Sequence, residues 1–262
     1  MDTPSIEQVW NAVFSSYGQS STHRGIFREV YGEEYPEEAA PLSYLSQSEL
    51  QRVAREIRVG ASQTIGDLGC GRGGPGLWVA RATGADLIGV DLFPAAVAEA
   101  KARADSFVEP GRARFEVGDL TELRFAAATF DAAMSIAVLW SIPRPEKALA
   151  EIARVLRPGG RIGISDIVAE DWLSPGQRAE RGSYAGCIAG ALSVSEFREG
   201  LEAVGLTDVS ITPSHVVTEG MISAIIKASK PADARPLIDL SARREMLPVA
   251  ASVGCCGGEG CC

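Results

Sequence analysis

The stretch Ile65-Gly-Asp-Leu-Gly-Cys-Gly-Arg-Gly-Gly-Pro-Gly76 decides the fold. A short apolar run meets Asp67, and glycine then takes every second place at Gly69, Gly71 and Gly73. Pro75 suits the first turn of a helix, and Leu77, Val79 and Ala80 continue at helical spacing. The order is strand, tight loop, helix. Glycine lets such a loop take positive φ and lets a ligand approach the backbone without a Cβ in the way. The helix that follows aims unpaired N–H groups and the positive end of its dipole at that ligand. A nucleotide-like cofactor fits this geometry.

Strand-like runs recur downstream at Thr64–Leu68, Asp86–Val90, Arg114–Val117, Asp131–Ser135 and Arg161–Ser165. Helical patterns lie between them, the clearest at Glu146–Leu156, with Pro158-Gly159-Gly160 expected to stop that helix and turn the chain into the next strand. Strands separated by helices pair in parallel through right-handed crossovers. The fold class read from this pattern is α/β, a Rossmann-like, mostly parallel sheet with helices on both faces. After Asp166 the pattern changes: residues 170–192 read as irregular or partly helical. A capping box at Ser193–Glu196 opens another helix, and two strands follow, Asp208–Thr212 and Met221–Ala228.

Upstream, Thr3-Pro4 can start a helix whose face holds Ile6, Val9, Trp10 and Val13. A loop-like stretch follows from about Ser15 to Ser43, and a capping box at Ser46–Glu49 begins a helix carrying Leu50, Val53 and Ile57. The expected organisation is a helical cap over residues 1–60, a cofactor-binding domain over 61–230 with a substrate region at about 166–192, and a flexible Cys-rich tail over 231–262.

The chain has 262 residues, 46% hydrophobic and 23% charged, with a net charge of -9. That acidity argues against a nucleic-acid partner, which calls for a basic face. No apolar run is long enough to span a bilayer, and the start does not read as a signal peptide. A cytoplasmic location with reduced thiols is expected. Thiols matter here because four of the six cysteines, Cys255, Cys256, Cys261 and Cys262, fall in the last eight residues.

Taken alone, Gly71-Arg-Gly-Gly-Pro-Gly76 also matches the dinucleotide pattern G-x-G-x-x-G, with Asp91 placed for a ribose hydroxyl. The surroundings favour another cofactor. Asp67-Leu-Gly-Cys-Gly-Arg-Gly73, Asp91, Gly118-Asp119, Phe130-Asp131-Ala-Ala-Met-Ser-Ile136 and Arg154-Val-Leu-Arg-Pro-Gly-Gly160 follow in order. Together they resemble the motifs of the class I, Rossmann-like S-adenosylmethionine-dependent methyltransferases. The resemblance implies S-adenosyl-L-methionine as cofactor. It implies Asp67, Gly69, Cys70, Gly71 and Gly73 around it, Asp91 and Leu92 at its ribose, Gly118, Asp119 and Leu120 at its adenine, and Ser135 and Ile136 beside it.

The acceptor is read from the second half. Arg161 to Asp171, Arg178 to Ser193 and Glu202 to Pro231 resemble the arsenite methyltransferases, and Cys187 falls on one of their arsenic-binding cysteines. The tail, Gly254 to Cys262, is cysteine-rich as theirs often are. Trivalent arsenic is thiophilic, so thiolates suit it by the softness argument used for metals. This resemblance implies a substrate held by Cys187, Cys70 and the tail thiols, with a thiol reductant as partner. Residues 31–145 instead resemble methyltransferases of small organic metabolites, which keeps an O-, N- or C-methyltransferase open. For such an enzyme His23 and His215 are the available bases, and Tyr17, Tyr184 and Trp140 could line a pocket. A non-catalytic thiol-metal binding protein is the third reading.

Overall fold

The computed structural model describes residues 21–182 and 188–234. The expected first helix at Thr3, Tyr17, Tyr184, Cys187 and the four tail cysteines lie outside them. Seven strands form one sheet in the order β3-β2-β1-β4-β5-β7-β6. They are β1 Thr64–Leu68, β2 Asp86–Asp91, β3 Ala113–Val117, β4 Phe130–Ile136, β5 Leu156–Ala169, β6 Thr207–Thr218 and β7 Met221–Ser229. β1 to β5 pair in parallel, while β7 runs antiparallel to both β5 and β6. The strand order reverses direction between β1 and β4, and a crevice opens beyond their carboxyl ends.

The helices are α1 Ser21–Tyr31, α2 Gln47–Glu56, α3 Gly74–Thr83, α4 Pro94–Ala104, α5 Pro145–Val155, α6 Pro175–Arg181 and α7 Val194–Ala203. Alternating strand residues feed two cores. Leu77 of α3, Val97 of α4, Leu50 and Val53 of α2 and Ile57 just after it pack with Ile65 and Met134 on one face. Leu149 and Ile152 of α5 and Phe197 and Leu201 of α7 pack with Ile162 and Ile226 on the other. Both capping boxes form as the sequence suggests: Ser46 with Glu49, and Ser193 with Glu196.

Two sequence expectations are corrected. The stretch read as a loop from Ser15 to Ser43 contains α1. What anchors α1 is remote in sequence: Phe27 meets Tyr44 edge-on, and Tyr31 meets the His215 ring at 5.8 Å. Its sequence carries apolar residues at helical spacing, Ile26, Phe27, Val30 and Tyr31, of which Ile26 and Val30 face solvent. At the other site, α5 does not end in a separate turn. β5 begins directly at Leu156, which pairs with Phe130, and Arg157–Gly160 bulge out before Arg161 pairs with Ala132. The Gly159 N–H then closes on the Lys230 carbonyl, which ties the bulge to the end of β7.

The cap is joined to the sheet by one buried carboxylate. Glu49 is 3% exposed and accepts hydrogen bonds from the Ser46 N–H, the Ser214 hydroxyl and the Ser223 hydroxyl. Hydrogen bonds to a charged group contribute more than neutral ones, and a stranded buried partner costs its full desolvation. Glu49→Ala is therefore expected to lower unfolding free energy by about 2–3 kcal/mol. A urea melt followed by far-UV circular dichroism checks this, and an unchanged midpoint would show the cap to be held by apolar contacts alone.

Candidate cofactor cleft

The cleft is built from the two strand ends that flank the reversal. β1 ends at Leu68 and the glycine loop folds back over β2, with the N–H groups of Gly69 and Cys70 both reaching the Val90 carbonyl at 2.8 and 2.9 Å. Gly69 takes φ +87, and a Cβ there would lie 2.3 Å from the Val138 side chain. Only glycine lets the loop cross that wall. At the start of α3, a Cβ on Gly76 would lie 2.2 Å from the Asp67 carboxylate, so the helix approaches β1 at the acidic side chain itself.

Two carboxylates face this loop from neighbouring strands. Asp91 is anchored, its Oδ2 accepting the Gly71 N–H at 2.7 Å and its Oδ1 the Phe93 N–H at 3.0 Å. Asp67 is 2% exposed, and its Oδ2 has no hydrogen-bond partner. Burial, then repulsion from Asp91, pushes the Asp67 carboxyl up to about 8. Burial also raises Asp91, opposed by the N–H groups it accepts. Both line a cavity of about 440 Å³, within the range of small-molecule sites. An orphaned buried acceptor beside a second carboxylate calls for a ligand with donors and positive charge. S-adenosylmethionine, with its sulfonium and ammonium groups, fits that demand. The pyrophosphate of a dinucleotide would meet like charge.

The other sequence-derived residues divide. Leu92, Gly118, Asp119, Leu120, Ile136, Cys70 and Gly71 line the cavity with Asp67, Gly69 and Asp91. Asp119 also accepts the N–H and hydroxyl of Thr121 at 2.8 Å each, which fixes its side chain at the rim. Gly73 starts α3 but packs towards Ala100 and Phe115, behind the wall. Ser135 is a correction: it is fully buried and donates to the Leu68 carbonyl at 2.8 Å, tying β4 to β1 below the cleft. Cys70 is 5% exposed, and burial with the two carboxylates beside it raises its thiol well above the usual range. A thiolate ligand needs the opposite surroundings. Asp131, a strand-start residue by the sequence reading, accepts the Thr64 N–H at 2.9 Å and pairs with Arg157.

Sequence reasoning missed the lid. Ala40–Ser43, from the segment before α2, lie along the cavity. Arg103 of α4 holds that segment over the loop, donating to the carbonyls of Arg72, Glu38 and Ala39 at 3.1 Å each. Nothing in an alanine-rich helix marks such an arginine. Trp140 lines the far wall and donates from its indole nitrogen to the Ala137 carbonyl at 2.8 Å. His215 is drawn into the cap, with Ser214 at 3.1 Å, Glu49 at 3.7 Å and the Tyr31 hydroxyl at 3.4 Å. It sits on β6, three strands from β4, or about 14 Å at the usual interstrand spacing. His215 is thus too distant to be a base for an atom held over the glycine loop.

No helix among the described residues is long and apolar enough to cross a membrane. Among those residues no group of His, Cys, Asp and Glu is arranged to hold a metal ion.

Comparison with known proteins agrees with this cleft. Residues 66–164 match the family model described as a methyltransferase domain. The methyltransferase GfsG of Streptomyces halstedii is 30% identical over 183 residues, covering 67% of this chain and 66% of that one. An arsenite methyltransferase of Halobacterium salinarum is 30% identical over 185 residues, covering 65% of this chain and 47% of that one. The chain therefore spans about two thirds of the first relative and half of the second. Among solved structures, the [4+2]-cyclase SpnF superposes with a TM-score of 0.67 at 21% identity, covering 88% of this chain and 98% of that one. A likeness at that identity speaks for the fold alone. With the strand order, the glycine loop and the paired carboxylates, these matches place the chain in one family: it belongs to the class I S-adenosylmethionine-dependent methyltransferases.

Proposed function

We propose that this protein transfers the methyl group of S-adenosylmethionine to a small-molecule acceptor. The observation that carries the reading is the Asp67 carboxylate, buried without a partner on the wall it shares with Asp91. When bound, S-adenosylmethionine supplies a methyl group made electrophilic by its sulfonium. Asp91, preset by two N–H groups, would accept from ribose hydroxyls, and Asp119 from the adenine amino group. Leu92, Leu120 and Ile136 would cover the base and thioether side with apolar surface. Ala40–Ser43, held by Arg103, would exclude water from above.

For the acceptor, the finer proposal is trivalent arsenic held by Cys187 with thiols of the tail, Cys255, Cys256, Cys261 and Cys262. A thiol reductant would keep these groups and the substrate reduced. The resemblance of residues 161–231 and the archaeal relative support it. So does a neighbour: Ile188, next in sequence to Cys187, packs on the cluster that contains Trp140, a residue of the cleft wall. Arg178 braces the same region, donating to the carbonyls of Leu173 and Ala191 and to Glu196. Cys70 is left out of the ligand set, since its surroundings hold it as a neutral thiol. An organic acceptor is the second reading, because the wall from Ile136 to Pro143, with Leu42 opposite, is largely apolar.

Product analysis separates the two. The full chain, given labelled S-adenosylmethionine with arsenite and excess glutathione, is expected to yield methylated arsenicals. Cys187→Ser should lower that yield at least tenfold, whereas Cys70→Ala should leave it within about threefold. No methylated arsenic, with label passing to a simple phenol supplied in parallel, would overturn the arsenic reading and keep the methyltransferase.

Asp67 gives a second test with a worked sign. Its carboxyl is raised to about 8, so the folded state disfavours the charged form, and stability is lost as pH rises from about 4 towards 8. Asp67→Asn is expected to be more stable than the native protein at pH 8, by about 1–3 kcal/mol, and to lose that advantage at pH 5. The same variant should bind S-adenosylmethionine at least tenfold more weakly in calorimetric titration. Equal binding would remove Asp67 from the cofactor site.

A further inference from the structure

We propose that Asp166 is a positioning residue for the methyl-transfer site, holding the wall from Val138 to Ser141 against the acceptor side of the cleft. The inference rests on the cleft being the site of transfer. It concerns a residue that does not line the cavity.

Asp166 lies near the carboxyl end of β5, inside the apolar run Ile162 to Ala169. It is 3% exposed, and no basic side chain among the described residues forms an ion pair with it. A carboxylate in such a place is costly unless its oxygens are used. One is used on the backbone at the exit of β4, the other on the backbone of β5 itself. Oδ2 accepts the Leu139 N–H at 3.2 Å, and Oδ1 accepts the N–H of Ile167 at 2.9 Å. The N–H groups of Val138 and Trp140 also favour its charged form. These residues belong to the short 3-10 turn Leu139–Ser141 and its entry.

That turn closes through the Ser141 N–H to the Val138 carbonyl and the Ile142 N–H to the Leu139 carbonyl, bonds that do not fix it to the sheet. Three residues of 3-10 helix offer few internal bonds. It follows Ala137, a non-glycine residue at φ +54 whose N–H is bonded to the Ser165 carbonyl at 2.8 Å. Two neighbouring groups of β5, the Ser165 carbonyl and the Asp166 carboxylate, thus hold the strained exit from β4 in place. The consequence reaches the cleft directly, because Ala137, Val138, Trp140 and Ser141 all line the cavity. Val138 is also the side chain that Gly69 crosses most closely. Moving the turn would alter the acceptor-facing wall while leaving Asp91 and the Gly71 N–H in place.

Burial raises the Asp166 carboxyl to about 7, with the N–H groups of Ile167, Leu139, Val138 and Trp140 pulling the other way. Protonation would turn one oxygen from acceptor to donor and weaken its hold on the turn. The indole N–H of Trp140 reports on this by nitrogen-15 NMR, assigned by its loss in Trp140→Phe. In the native protein its resonance is expected to move with a midpoint near pH 7. Asp166→Asn should abolish the step near pH 7, leaving any movement towards pH 8 to Asp67. The native titration alone needs no Asp166 variant, so a folding defect cannot hide the answer. An indole resonance with no step near pH 7 in the native protein, or one whose step near pH 7 persists in Asp166→Asn, would overturn the proposal.

Function is read in parallel. On whichever acceptor takes label in the assay above, Asp166→Asn should raise the acceptor KM about tenfold, with kcat within threefold and S-adenosylmethionine affinity within twofold. An equal loss of cofactor affinity would mean a general structural role and would sink the proposal. Failure of the native protein to bind S-adenosylmethionine at all would instead count against the cleft reading.

Discussion

Two carboxylates buried side by side, Asp67 on β1 and Asp91 on β2, set the terms for everything around them. Left alone they repel, and one of them has no partner for an oxygen. The sequence places them at the ends of adjacent parallel strands, where backbone N–H groups of the following loop come within reach. Asp91 is satisfied by that loop. Asp67 is not, and it stays so because α3 crowds it through Gly76. The arrangement is a local instability that a positively charged, donor-bearing ligand would relieve. Such strain at a functional site is commonly offset by the rest of the fold. Here the offset is two well-filled cores, one on each face of the sheet.

The sheet was legible because its signals are local. Alternating apolar runs, glycine after the first strand and capping boxes before α2 and α7 all act within a few residues, and the seven strands fall where those patterns lie. What escaped reading is long-range. α1 depends on Tyr44 and His215, the latter 184 residues from Tyr31. The lid depends on Arg103 reaching back across 64 residues to the Ala39 carbonyl. Neither of these long-range contacts leaves a periodicity. Asp166 did leave one sign, a lone acid in an apolar strand, because burying a carboxylate demands a set of donors. Ser135 shows the converse: its position in a motif suggested a ligand contact, whereas its hydroxyl is consumed by a strand-to-strand bond.

Burial also separates cysteines that look alike in sequence. Cys70 sits among the residues of the cofactor loop, yet two carboxylates and a closed environment keep its proton on. Soft-ion ligation calls for the thiolate, and a thiolate there would add a buried negative charge beside the Asp67 and Asp91 carboxyls. The loop thus has a cysteine for its size, as a small apolar filler against Gly89.

The division of labour across the crevice follows from the same geometry. β1, β2 and the loop carry charge and backbone donors, the equipment for a cofactor that is the same in every member of the family. β4, β5 and the turn that follows β4 carry the apolar wall and Trp140. A [4+2]-cyclase shares this fold at a TM-score of 0.67, so the sheet alone does not choose a reaction. The choice has to be made on the β4–β5 side. There the short turn of the wall is bonded from behind by one buried carboxylate and one carbonyl of β5. Acceptor preference can then change through the turn's side chains without disturbing the strand that positions it.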